Sequence, residues 1–521
     1  MSNTRSILAT AGLTGILAVT AAQPLAAQEA EQVLRVGMGS GDIGKMDPHV
    51  SAGTPEKMLF GWLFDGLVRL KPGESNPEFI EPALATSWEH SPDNLVWTFK
   101  LREGVQCHGK YGEFTAEDAA FSLKRAADPE RSSFSSDFSS MKSVEAVDDY
   151  TLRIEFSERV PSVLGLLVNL QGGNMVCKDA VEDLGDEFAQ HPVGTGPFMF
   201  KSYEPQQQIV LEANPDYYLG EPKVDRIEYK FIPAIASRDL AFQNGEVDIT
   251  FGQSDKNWYD RMKQVPDAHV IAIEPAELYT LHLNASRAPL DDPKVRKAIA
   301  HALPRAGIVQ YRGESVARAA PSVVPQGYLG HSAATPLPEY DVEKAKELLA
   351  EAGHPDGITL NVVQTSLPVM RETMEVIQGQ LRKAGINVDL QIVEHATFHA
   401  DIRKDKSDMV LYAAARFPVA DTYLTQFYDS ASIVGTEHAV TNFSHCDVAD
   451  AEIRQARVEP DAEKQLALWA EAQKKIVDAV CAIPVYEALQ VWAISDRVKL
   501  GYEPHGSLQL GLPVTEATTV N

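Results

Sequence analysis

Several features are scarce or missing in this 521-residue sequence, and each absence excludes a class of protein. Only four cysteines occur, and no two form a Cys-x-x-Cys pair, which excludes the common thiol-redox and zinc motifs. Basic residues are in deficit, 47 against 73 acidic ones, and the net charge of −26 argues against nucleic acid or anionic membrane as a partner. No P-loop, GxSxG or HExxH motif is present. These absences do not choose among small-molecule ligands.

The first 27 residues have the pattern of a secretory signal peptide. Arg5 supplies a positive charge, residues 7–22 form an apolar segment, and Leu25-Ala26-Ala27 resembles a cleavage site. An uncleaved anchor is the alternative, but Thr and Gly interrupt the apolar segment, which is short for a membrane span. No cysteine follows it directly, so we expect no lipid anchor. The sequence therefore predicts a mature chain free in the periplasm.

The stretch from Glu81 to Arg125 is the most informative part of the chain. Val96–Leu101 alternates like a half-buried strand, and a loop with three glycines follows it. Thr115 is then placed to cap a helix, with Asp118 three residues later in a capping-box arrangement. This order resembles the signature of family 5 bacterial solute-binding proteins, the peptide- and nickel-type receptors of ABC importers. The residues that match its pattern are Ala85, Trp88, Phe99, Leu101, Arg102, Gly104, Val105, His108, Phe114, Thr115, Ala116, Glu117 and Asp118.

The resemblance extends over the whole mature chain and implies its architecture. Val193–Phe198 matches the family's Gly-Thr-Gly-Pro turn, and residues 289–299 match its entrance to a further subdomain. The implied fold class is α/β, the two-lobed periplasmic binding protein of type II in its large three-subdomain variety. Strands that alternate with helices after residue 340 predict a mostly parallel sheet there.

The resemblance also implies a division of the chain. The expected units are a signal peptide over 1–27, subdomain I from 28–64, 200–286 and 490–521, subdomain II from 65–199, and subdomain III from 287–489. Hinges are expected near Ala285–Pro289 and Glu487–Val491. Cys107 and Cys177 would share one subdomain and Cys446 and Cys481 another. An oxidising compartment permits a bridge within each pair, but four cysteines allow three pairings, and unpaired buried thiols remain the alternative.

Isolated sequence features that suggest chemistry have simpler explanations. Gly39–Gly44 spells GxGxxG, but it leads into Met46-Asp47-Pro48 rather than a helix, so we expect no dinucleotide site and no cofactor. His395 and His399 have a spacing compatible with metal ligation, yet no third ligand is implied, so a solvated or capping role is favoured. We expect neither catalysis nor a bound metal.

The family's ligand-binding positions carry unusual residues in this chain. The position of the aspartate that holds a dipeptide's ammonium falls on Pro418, and that of the carboxylate-binding arginine falls near Gln364. Both anchors for an ordinary dipeptide thus look absent, while Arg416 is new. A modified peptide, an opine, a glycoside or another polar solute is implied instead. The ligand-binding residues expected are Ser51, Ala52, Gly53, Thr54, Gln364, Tyr412, Arg416, Phe417 and Asp421.

The function implied is that of a monomeric receptor that captures its solute between two lobes and delivers it to an inner-membrane ABC permease. A secreted enzyme or chaperone on the same scaffold is the alternative. For Arg416, a surface ion pair with Asp421 is the competing interpretation of its role.

Overall fold

The computed structural model describes residues 31–51, 53–168, 170–435, 441–509 and 511–521, so the expected signal peptide lies outside it. The strands are β1 (Val33–Met38), β2 (Val68–Leu70), β3 (Ile80–Pro82), β4 (Ala85–His90), β5 (Val96–Leu101), β6 (Met141–Asp148), β7 (Thr151–Phe156), β8 (Phe198–Glu204), β9 (Gln208–Ala213), β10 (Arg226–Phe231), β11 (Ile249–Phe251), β12 (Ala268–Leu283), β13 (Ala317–Ala319), β14 (Ile358–Thr365), β15 (Ile386–Val393), β16 (Met409–Ala414), β17 (Ala482–Ser495), β18 (Val498–Lys499) and β19 (Thr519–Val520). The α-helices are α1 (Thr54–Leu63), α2 (Ala116–Ala126), α3 (Val163–Leu166), α4 (Lys178–Leu184), α5 (Ile235–Gln243), α6 (Lys256–Met262), α7 (Pro293–His301), α8 (Arg305–Arg312), α9 (Val342–Glu351), α10 (Pro368–Lys383), α11 (His395–Arg403), α12 (Ala420–Tyr428), α13 (Asp450–Val458) and α14 (Ala462–Asp478). None of these helices has both the length and the apolar character needed to cross a bilayer.

The signature stretch folds as its residue pattern predicts. In β5 the alternate residues Trp97, Phe99 and Leu101 are buried on one face. The backbone amide of Thr115 donates to Asp118 Oδ2 at 2.8 Å, which closes the predicted capping box at the start of α2. Local sequence rules suffice here because each interaction joins residues that are close in the chain.

The main sheet has nine strands, and it connects distant parts of the chain. Its order is β16-β12-β17-β11-β1-β10-β9-β8, with β13 beside β17. Only the pairings of β1 with β10 and β11 are parallel in this sheet. The sequence predicts a mostly parallel sheet after residue 340, and this prediction is only partly correct. β14 and β15 pair in parallel, but β16 lies antiparallel to β12. Helix–strand alternation cannot reveal that β16 takes a partner from more than a hundred residues earlier.

The buried side chains form two large hydrophobic cores. The first draws on residues 34–273 and 492–520, and the second on residues 278–488. A third, smaller cluster surrounds Trp258. The boundary between the large cores falls inside β12, between Ile273 and Leu278, where the pairing with β17 shifts register. In β17 the boundary falls between Ala488 and Trp492, so these two long strands join the two halves.

Disulfide bonds close one loop in each core. Cys107 is bonded to Cys177 in the first core and Cys446 to Cys481 in the second, and no cysteine is free. The alternative of unpaired thiols is therefore wrong for this structure.

We expect protein purified from an oxidising compartment to contain no reactive thiol. Because all four sulfurs are bonded, a thiol-specific reagent should label none of them under denaturing conditions without reductant, and all four after reduction. Peptide mapping should recover the two pairs given above. Labelling of Cys107 or Cys446 without reductant would contradict the pairing.

Candidate functional site

Arg416 follows β16 and is fixed by its neighbours rather than left mobile on the surface. Its backbone amide donates to the Tyr328 hydroxyl at 2.9 Å, and that hydroxyl donates to the Arg416 carbonyl at 2.7 Å. The guanidinium donates through Nε to Gln426 Oε1 at 2.7 Å and lies 5.5 Å from the centre of the Phe427 ring. These contacts hold the planar charge in one orientation.

Three further charged side chains come within electrostatic reach of Arg416. Lys57 lies on α1, Asp137 lies in the segment before β6, and Glu277 lies on β12. Burial lowers the pKa of Lys57, and the charge of Arg416 lowers it further. Burial raises the pKa of Asp137 and of Glu277, and Arg416 opposes both shifts. We call Lys57, Asp137, Glu277 and Arg416 the charged quartet.

The two acidic members of the quartet are only partly shielded from solvent. Asp137 and Glu277 keep much of their side chains accessible, yet protein surrounds them closely enough for burial to raise their pKa values. Within the described ranges, no member of the quartet has an ion-pair partner, and the side chains of Lys57, Asp137 and Glu277 have no hydrogen bond. The quartet therefore contains two cationic and two anionic groups without an ion-pair partner among the described residues.

The two halves of the molecule touch at Phe417, the residue after Arg416. Phe417 packs against both large cores. A Cβ added at Gly165 would lie 2.2 Å from Phe417 Cε1, so only glycine allows this approach. Arg159 Nη2 also donates to the carbonyl of Pro460 at 3.4 Å, from the first half to the second. Arg416 therefore lies next to a contact between the two halves.

The loop at Ser51–Thr54 leads directly into the helix that carries Lys57. Gly53 is the N-cap of α1, and the Ser51 hydroxyl donates to the Lys45 carbonyl at 2.5 Å. Ala52 and the side chain of Thr54 lie outside the described residues. The structure therefore brings the expected loop to the same region as Lys57 and, through it, Arg416.

Gln364 and Tyr412 lie on strands of the second half. Gln364 is fully buried, and neither its Oε1 nor its Nε2 has a hydrogen-bond partner in the described structure. The Tyr412 ring lies 5.9 Å from that of Phe427, the same ring that contacts Arg416. A buried amide without partners is unfavourable, and an ordered water commonly satisfies such a group.

Asp421 is separate from the quartet. It is buried at the start of α12, and its Oδ2 lies 3.6 Å from Arg457 Nε, so its ion pair is with Arg457 and not with Arg416. Burial raises its pKa to about 6, although Arg457 opposes the shift. The ion pair with Asp421 considered for Arg416 is therefore absent.

Asp421 should make stability depend on pH. Because its folded pKa of about 6 exceeds the unfolded value of about 4, the folded state binds the proton more tightly. Its contribution to stability is present at low pH and is lost as pH rises from about 4 to 7, by up to roughly 3 kcal/mol. We expect Asp421→Asn to remove this loss in denaturant titrations at several pH values. Asp356→Asn, at an exposed aspartate, is the control, and equal pH profiles for both variants would contradict the assignment.

The sequence patterns pointed to Arg416 but missed the other three members of the quartet. Lys57 and Asp137 carry no local signal, since a lysine in a helix and an aspartate among serines are ordinary surface residues. Glu277 does carry a local signal, because this charged residue directly precedes six strand residues that are all buried. A charged residue next to such a buried run indicates either a recess or an interaction partner for the charge.

Comparison with known proteins agrees with this geometry. The profile of bacterial extracellular solute-binding proteins, family 5 (middle region), matches residues 80–434. A solved structure of the binding protein MoaA from A. tumefaciens R10, in complex with mannopinic acid, is 47% identical with a TM-score of 0.84, and the match covers 94% of this chain and all of that one. Heme-binding protein A of Haemophilus influenzae is 28% identical over 84% of each chain. A putative ABC transporter peptide-binding protein of Brucella ovis is 30% identical over 76% of this chain and 74% of its own.

These similarities confirm the fold class predicted from the sequence, an α/β periplasmic binding protein of the large two-lobed type. The relatives are named for different ligands, so membership alone does not give the solute. The family match spans most of the described chain, and it includes both the signature stretch and the segment that carries Arg416. The chain therefore belongs to family 5 of the bacterial extracellular solute-binding proteins and has a substrate-binding role in import.

Proposed function

We propose that this protein is a periplasmic receptor that binds a zwitterionic amino-acid conjugate, an opine or a modified peptide, between its two halves. The charged quartet is the observation that carries this proposal. A charge that is partly shielded from water and lacks an ion-pair partner is stabilised by a ligand group of opposite charge. Two cations and two anions in one quartet match a solute that carries both signs.

The quartet suggests how such a solute is oriented. Carboxylates of the ligand would meet Lys57 and Arg416, whose guanidinium is held for a directed, charge-assisted bond. A protonated nitrogen would meet Glu277 and Asp137. An opine supplies both groups together with hydroxyls, and the relative bound to mannopinic acid is 47% identical to this chain.

Polar groups around the quartet would complete the site. The unpaired amide of Gln364 can donate to and accept from a hydroxyl or carboxylate. Ser51, Ala52, Gly53 and Thr54 would contribute from the first half. Tyr412 and Phe417 would supply aromatic surface from the second. Asp421 would act indirectly, by fixing the start of the helix that also carries Gln426.

Closure of the two halves would couple binding to transport. We place the hinge at the core boundaries, residues 273–278 of β12 and 488–492 of β17. The first of these segments precedes the range Ala285–Pro289 expected from the sequence, and the second overlaps the expected range Glu487–Val491. The contact of Phe417 with Gly165 is then a feature of the closed form, which an ABC permease would recognise. The subdomain limits predicted above, a monomeric state and export by a cleaved signal peptide without a lipid anchor belong to the same proposal.

Recovery of the bound molecule tests this proposal against the alternative of an enzyme or chaperone. Freshly purified protein is denatured, and the released solute is identified by mass spectrometry. Mannopinic acid and a neutral dipeptide are then compared by calorimetry. We expect a zwitterionic conjugate to be released, to rebind one per chain and to remain chemically unchanged after prolonged incubation. Conversion of the solute would favour the enzyme, and binding of unfolded chains without a stoichiometric solute would favour the chaperone.

Glu277→Gln keeps the shape of the side chain and removes one negative charge of the quartet. We expect it to weaken binding of the released solute by about tenfold or more, because the ligand's cation loses a charged partner. Glu221→Gln, at an exposed glutamate, serves as the control. Equal affinities for wild type and Glu277→Gln would remove Glu277 from the site.

A further inference from the structure

A pair of imidazoles on α11 lies apart from the charged quartet and has the geometry of a metal chelate. His395 and His399 are one helical turn apart, and their Nε2 atoms face each other at 3.2 Å. Two nitrogen atoms that bind one tetrahedral Zn²⁺ at about 2.0–2.1 Å lie about 3.3–3.4 Å from each other. At the same metal–nitrogen distance, two adjacent ligands at a right angle, as in square-planar or octahedral coordination, lie about 2.9 Å from each other. The observed separation lies between these values.

The surroundings of the pair favour this arrangement over two independent rings. Nδ1 of His395 is within 3.1 Å of Thr365 Oγ1, which fixes the ring and directs Nε2 toward His399. With a metal on Nε2, His395 Nδ1 would carry the proton and donate it to Thr365 Oγ1, which is the usual support of a metal-binding histidine.

We propose that His395 and His399 bind one divalent transition-metal ion through their two Nε2 atoms. Imidazole pairs suit Cu²⁺, Ni²⁺ and Zn²⁺, and affinity for Cu²⁺ is highest in this series. No group of three or more His, Cys, Asp or Glu ligands occurs within the described ranges, so the remaining coordination positions are left to water or to an oxygen donor from solution. Such an open, two-ligand site binds and releases its ion reversibly, unlike a closed structural site.

The site borders the ligand-binding wall of the second half. Thr365 directly follows Gln364, and the His399 ring lies 6.0 Å from that of Tyr412. The metal site does not depend on the proposed solute, however, because its two ligands and their support are all side chains of this protein. The competing arrangement is a hydrogen bond between two neutral rings, which would give the same nitrogen separation without affinity for metal.

Copper titration of tag-free protein distinguishes these arrangements. With CuCl₂ alone as the probe, we expect one Cu²⁺ per chain and an electron paramagnetic resonance spectrum with coupling to two imidazole nitrogens. His395→Ala and His399→Ala should each weaken binding at least tenfold, because the second imidazole otherwise binds within the same molecule at high effective concentration. His354→Ala, at a histidine outside this pair, should bind copper like wild type.

Two results would overturn the proposal. One is equal copper affinity of wild type and the His395→Ala/His399→Ala double variant, and the other is a wild-type spectrum without two coupled imidazole nitrogens. Thermal melts of each variant without metal check that it is folded, and His395→Gln/His399→Gln provides a second pair if the alanine variants are not. Solute binding measured in the presence of a chelator separates this result from the proposed function, which needs no metal.

Discussion

Replacement of Arg416 by alanine should weaken solute binding by about 30- to 1000-fold, which corresponds to roughly 2–4 kcal/mol. The guanidinium is held by Gln426 and the Phe427 ring, and its charge reaches the other members of the quartet. Its loss removes a charge-assisted bond to the ligand and leaves Lys57 as the only cation of the quartet. Calorimetry with the solute recovered from the protein measures the change.

Arg416→Lys is the informative companion, because it keeps the charge but not the planar fork, and we expect it to restore only part of the affinity. Arg382→Ala is the matched control, since Arg382 is an exposed arginine in the last turn of α10. Thermal melts of the ligand-free variants separate lost binding from lost folding. A change in solute affinity below about threefold for Arg416→Ala would mean that this side chain has a structural role and does not bind the ligand.

Replacement of Phe99 by alanine should lower the free energy of unfolding by about 3–5 kcal/mol without a direct effect on binding. Phe99 is fully buried in β5, with its ring 6.3 Å from that of Trp88 and 6.1 Å from that of Trp97. The truncation leaves a cavity between the strands that flank β5. Denaturant unfolding in the ligand-free state measures the loss.

Phe79→Ala provides the comparison, because Phe79 keeps 41% of its surface exposed and should change stability little. Solute affinity of the folded Phe99→Ala protein should stay within about threefold of wild type, since Phe99 belongs to the hydrophobic core and to no part of the quartet. Unchanged stability together with a large loss of affinity would mean that Phe99 contacts the ligand.

Family membership could be predicted from the sequence because the motifs that indicate it are local. The alternation in β5, the capping box of Thr115 and Asp118, and the Gly-Thr-Gly-Pro turn each depend on residues only a few positions apart. Such interactions fold in the same way wherever they occur, so a pattern suffices to predict them. The same holds for Arg416, which was identified from its position relative to a matched strand.

The sequence by itself determined the α/β fold class and the family, and it suggested one charged residue of the proposed site. Only the tertiary structure decided which cysteines are bonded, that β16 pairs with β12, and that Asp421 forms its ion pair with Arg457. It also brought Lys57, Asp137 and Glu277 to Arg416 from three other parts of the chain. The physical reason is the same in each case. A charge acts through space on whatever the fold places beside it, and no local propensity records which distant residue that will be.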